Sequence, residues 1–134
     1  MTINVTTICK KTTSYNSLVK RLANKLTKSL SKEGKIDLYL VSARQMRLLN
    51  KKFRKKDKDT NVLSFVNPEG FPDEVLGEVY LNPVYIKNNN EDLKLMLVHG
   101  VLHILGYDHV KNSDKIKMER REKALISKLT SGKS

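Results

Sequence analysis

Residues 98–109 read Val98-His99-Gly100-Val101-Leu102-His103-Ile104-Leu105-Gly106-Tyr107-Asp108-His109 and hold all three histidines of the 134-residue chain. The run from Leu93 to Leu105 is mostly apolar, rich in helix formers and free of Pro. It predicts a buried helix from about Glu91 to about Leu105. On such a helix His99 and His103 stand four residues apart, so both imidazoles lie on one face about one turn apart. Gly106 falls where a left-handed cap would end the helix and turn the chain, letting His109 face back toward the first two.

Three imidazoles so arranged would hold a metal with one or more positions open. Neutral imidazole suits zinc and its neighbours, and three protein ligands plus water is the pattern of a catalytic rather than a structural zinc site. Zinc is the expected ion, one per chain, and nickel, cobalt or iron fit the same nitrogens. The spacing His-x-x-x-His-x-x-Gly-x-x-His equals that of the metzincin proteases, where the residue after the first histidine is the general-base Glu. Here that residue is Gly100, so peptide hydrolysis loses its central group while the metal geometry survives.

A mass of 15.4 kDa suffices for one domain with a modest core, and residues 1–134 are expected to form it alone. The one cysteine, Cys9, excludes an intramolecular disulfide and fits a reducing cytosol; its side chain is expected to be buried and inert. No stretch reads as a signal segment or a membrane span, so a cytoplasmic protein is expected. Net charge is +12 and is unevenly spread. Residues 1–35 carry eight Lys/Arg against Glu33, and residues 44–58 carry eight more against Asp57. Residues 59–93 reverse the sign, with seven Asp/Glu against Lys87. Two basic blocks on separate segments are what an RNA-binding surface needs, because phosphate contacts supply most non-specific affinity.

Ile3 to Ile8 alternates as a strand, and Leu18, Leu22, Leu26 and Leu30 stripe a helix from about Tyr15 to Lys32. Ile36, Leu38 and Leu40 mark a second strand, followed by a short basic helix from about Ala43 to Lys52. Val62–Val66 is a third strand, residues 67–72 a turn, and Gly77–Leu81 a fourth strand. A helical turn follows Pro83. The last helix, about Ser113 to Leu129, is expected to pack Ile116, Leu125 and Ile126 inward. This order predicts an α+β domain with a small sheet of about four strands.

The stretch from His99 to His109 resembles the HGxLHLxGYDH signature of the YbeY-type endoribonucleases, bacterial factors of ribosomal RNA maturation. Leu49-Asn50-Lys51-Lys52-Phe53-Arg54-Lys55-Lys56-Asp57-Lys58-Asp59-Thr60-Asn61-Val62-Leu63-Ser64-Phe65 is similar to that family's LNxxYRxxDxPTDVLSF, and Leu76-Gly77-Glu78-Val79 to its LGD/E-I/V strand start. Asp59 stands where the family usually has Pro, and Asn61 where it usually has Asp. The resemblance implies a mixed sheet with the histidine helix central. It also implies a single-strand-specific endoribonuclease acting in small-subunit rRNA processing and ribosome quality control, with ribosomal RNA, the ribosome and ribosomal proteins as partners.

The expected metal ligands are His99, His103 and His109, and the expected catalytic residues Arg54, His99 and Asp108. Arg54 matches the family arginine, and its guanidinium fork suits the oxygens of a scissile phosphodiester. Lys51, Lys52, Lys55, Lys56 and Lys58 would be a track for the RNA backbone. Three roles fit Asp108: an acceptor that orients an imidazole, a proton acceptor for attacking water, or a turn residue capping its own backbone. Met118 and Glu122 match a downstream M-x-x-x-E spacing, Met118 as packing beneath the metal and Glu122 as a helix-surface charge; Tyr107 would pack over the site. Two alternatives stand beside the nuclease: a ribosome-associated RNA-binding factor with a structural metal, and a metallopeptidase-like hydrolase.

Overall fold

Alternating apolar residues build the centre of the molecule. In the computed structural model, which describes residues 1–107 and 111–130, strand β1 spans Thr2–Thr7 and β2 spans Lys35–Leu40. Between them lie a 3-10 turn at Lys10–Tyr15 and helix α1, Asn16–Thr27. Helix α2 (Ala43–Arg54), strands β3 (Val62–Val66) and β4 (Val75–Leu81), and helices α3 (Pro83–Asn88), α4 (Leu93–Ile104) and α5 (Asn112–Thr130) follow in order. The sheet order is β1-β2-β4-β3. β1, β2 and β4 run parallel, and β3 pairs antiparallel with β4 at the edge, so the sheet is mixed.

Because side chains alternate across a strand, the sheet has two unlike faces. Ile36, Leu38, Leu40, Val79 and Leu81 are fully buried on one, beneath α1, α4 and α5. On the other, Met46 of α2 packs with Val41 and Leu63 and is flanked by Tyr39, Phe65 and Tyr80. Helix α4 lies on β3 and β4 and is itself packed by α1, α3 and α5. Leu97, Val98, Val101 and Leu102 are wholly excluded from solvent, each burial contributing about 1.5–3 kcal/mol. Among the described residues no helix is long and apolar enough to cross a membrane.

Several boundaries differ from the sequence reading. Helix α1 stops at Thr27, not Lys32, because Thr27 Oγ1 donates to the Asn24 carbonyl and Ser29 and Leu30 close i−3 turns that tighten the end. Its buried stripe is Val19, Leu22, Ala23 and Leu26, with Leu18 and Leu30 only half-buried. Strand β4 begins at Val75, two residues before Gly77. In α5 the inward residues are Met118, Glu122, Leu125 and Leu129, whereas Ile116 is 49% exposed and Ile126 half-buried. A carboxylate within the stripe disguised its phase. Cys9 is half-buried rather than buried.

Candidate active site

Asp92 caps α4 by accepting from Lys94 N at 3.0 Å, which starts the helix at Leu93, two residues after the expected Glu91. The far end closes as the sequence predicts. Gly106 has φ 99°, its N–H donates to the His103 carbonyl at 3.2 Å, and Tyr107 N–H donates to the Leu102 carbonyl at 3.0 Å. These are the paired bonds of a Schellman cap, which reverses the chain just beyond His103. The third histidine of the motif, His109, and Asp108 lie outside the described residues.

Within α4 the two imidazoles converge, with 3.1 Å between His99 Nε2 and His103 Nε2. Glu122 of α5 stands behind His99, its Oε2 2.8 Å from Nδ1, and its side chain is only 12% exposed. Glu122 is thus a buried partner of the first histidine and not the surface charge its sequence suggested. Met118, one turn earlier on α5, is buried beneath the same region. Among the described residues no further His, Cys, Asp or Glu joins the two histidines in a group able to hold a metal.

The residue after His99 settles the comparison with proteases. Gly100 faces the sheet: a Cβ there would stand 2.8 Å from Val79 Cγ1 and 3.0 Å from Val62 Cγ2, and its carbonyl accepts from Ser64 Oγ at 2.9 Å. A glutamate side chain has no room at this position, so the metzincin arrangement does not transfer to this helix.

Arg54 reaches the same site from the opposite layer. The Ser42 hydroxyl and Gln45 side chain form a reciprocal capping box at the start of α2. At the other end Lys55 adopts a left-handed conformation (φ 56°), and the Lys55 and Lys56 amides donate to the Asn50 carbonyl. The helix therefore continues past Lys52 to Arg54. Arg54, Asn61, Val62, Ser64, Met96, His99 and His103 line one cleft of about 390 Å³. Lys51, Lys52, Lys55, Lys56 and Lys58 are all exposed in the last turn of α2 and the loop beside it. Tyr107 packs against the main core and lines a separate hollow with Asp114 and Lys117.

Three buried or half-buried asparagines hold the loop between α2 and β3, and of these the sequence reading noted only Asn61, as a departure from the family pattern. Asn50 Nδ2 donates to the Lys58 carbonyl at 2.9 Å. Asn82 donates to Asp59 Oδ1 at 2.6 Å and to the Thr60 carbonyl at 3.1 Å, while its Oδ1 caps α3 at Tyr85 N. Asn61 Nδ2 donates to both Glu91 oxygens, at 3.2 and 3.3 Å. The signal available was Asn50 itself, a weak helix former inside a helix, and Asn82 in the capping place before Pro83. Burial raises the Asp59 carboxyl above its ordinary value, against the lowering effect of its bonds from Thr60 N and Asn82.

The arrangement offers two imidazole nitrogens and a guanidinium to one occupant, with a carboxylate fixing one ring from behind. Such a set can bind and polarise an anionic ester. Comparison with known proteins gives the family. The family model "Endoribonuclease YbeY" matches residues 2–130. A Francisella tularensis subsp. tularensis protein named Endoribonuclease YbeY is 32% identical over 130 residues, covering 87% of this chain and 77% of that protein. A Nitrosomonas eutropha protein of the same name is 38% identical over 109 residues, covering 75% of this chain and 76% of that one. The solution structure of TM1509 from Thermotoga maritima superposes with a TM-score of 0.65 at 26% identity, covering 96% of this chain and 89% of that one. With the family model spanning nearly the whole sequence, the chain belongs to the YbeY endoribonuclease family.

Proposed function

We propose that this protein is a metal-dependent endoribonuclease that cuts single-stranded RNA in the cytoplasm, in small-subunit ribosomal RNA maturation and in ribosome quality control. The observation that carries the reading is the single cleft lined by Arg54 and by both described histidines. Family membership supports the reaction class, and the +12 charge supports a polyanionic substrate.

The donor set fits a borderline metal ion. Two imidazole nitrogens at zinc–ligand lengths stand about 3.3 Å apart in a tetrahedral set, close to the 3.1 Å between His99 Nε2 and His103 Nε2. His99, His103 and His109 would hold the ion, for which zinc is proposed and nickel, cobalt or iron are compatible. It would supply Lewis-acid polarisation of the phosphodiester and lower the pKa of water toward about 7. Arg54 would donate to the non-bridging oxygens and offset the charge that grows on them. Lys51, Lys52, Lys55, Lys56 and Lys58 would hold the flanking backbone without reading bases.

The test is cleavage of a single-stranded RNA by protein as isolated, after chelation, and after zinc is restored. The expected result is activity that disappears with the metal and returns with it. Cutting that survives complete chelation would refute the proposal. RNA binding without cutting under all three conditions would instead describe a ribosome-associated factor with a structural metal.

A further inference from the structure

Glu122 is the charged side chain that the core buries among the described residues, and it is buried against a candidate ligand. We propose that Glu122 is a positioning residue that holds the proton of His99 on Nδ1, so that Nε2 presents its lone pair to the metal. The inference rests on the metal reading given above and adds a residue to it.

The geometry is specific. At 2.8 Å from a carboxylate oxygen, which accepts, a neutral His99 ring donates from Nδ1, and Nε2 is then the nitrogen that carries the lone pair. That bare nitrogen is the one turned to His103 and the cleft holding Arg54. His99 thus stands between two hollows. Its second side borders one of about 240 Å³ lined by Lys115, Met118, Glu119 and Glu122, all on α5. Lys115 and Glu119 are exposed, while Met118 and Glu122 are buried, so the carboxylate meets His99 at the inner side of that hollow. A carboxylate in that place fixes the orientation and tautomer of the ring, which makes the opposite nitrogen a better ligand. Leu125 and Leu129, further along the same buried stripe, anchor α5 in the core and so fix the distance.

Two variants separate positioning from packing. Glu122→Met keeps an apolar side chain of similar reach and deletes the acceptor; Glu122→Gln keeps an acceptor oxygen and deletes the charge. Zinc affinity by titration calorimetry is expected to weaken about 10–100-fold in Glu122→Met, and by less in Glu122→Gln. In nitrogen-15 spectra of the metal-free protein, the His99 Nδ1–H signature should be present in wild type and Glu122→Gln and lost in Glu122→Met. Unchanged zinc affinity and an unchanged tautomer in both variants, whatever their melting temperatures, would overturn the proposal. A wild-type chain that takes up no zinc would refute the metal reading instead, and the tautomer comparison would then decide the role of Glu122 by itself.

Discussion

Asn61 uses both ends of its side-chain amide, Nδ2 on the two Glu91 oxygens and Oδ1 on Val62 N at 2.6 Å. An aspartate at 61, the residue of the family pattern, would lose both donated bonds and set a second carboxylate against Glu91. The departure seen in the sequence therefore sets an amide in the cleft wall where the family pattern has a carboxylate, and that amide holds the Glu91 carboxylate. Asn61→Asp is expected to destabilise the fold by about 1–3 kcal/mol at pH 7, read from urea denaturation. A variant as stable as wild type at pH 7 would show that the Asn61–Glu91 contact contributes nothing. None of this pairing was legible in the sequence, because positions 61 and 91 are brought together only by the docking of α4 on β3.

At the scale of elements, α4 carries the site because it lies close enough to the sheet for its backbone to touch it, and Gly100 is what permits that approach. Replacing Gly100 by Ala would add helix propensity of about 1 kcal/mol. It would also drive a methyl group into Val79 and Val62, stiff branched side chains, at an overpacking cost of about 1–3 kcal/mol. A lower melting temperature is expected, together with weaker zinc binding as the helix lifts and carries His99 and His103 with it. A Gly100→Ala protein with raised stability would mean that α4 tolerates more separation than its contacts imply. The helix itself was legible from its apolar run and from Gly106. Its orientation was not, since a helix buried on nearly every side carries no period that names the sheet-facing residue. Helix α5 failed to declare its face for the opposite reason: a buried carboxylate, Glu122, sits where an apolar residue would have marked the stripe.

For the whole molecule, the order of strands and helices follows from alternation and turn residues, whereas the placement of β3 at the edge and of α2 on the opposite face depends on long-range pairing that no local pattern encodes. That placement is what sets the site. Arg54 comes from the layer below the sheet and the histidines from the layer above, and they share a cleft along the edge strand β3. The convergence of His99 and His103 was legible because it is local to one helix; the joining of Arg54 to them was carried only by family resemblance. The central claim is that this guanidinium and these imidazoles act on one phosphodiester, and the direct measurement is single-turnover cleavage of single-stranded RNA by Arg54→Ala, with RNA affinity measured in parallel. Cleavage should fall by about 10²–10³-fold, as when one transition-state donor is removed, while affinity, spread over many exposed cations, changes little. Equal cleavage by variant and wild type would contradict the account.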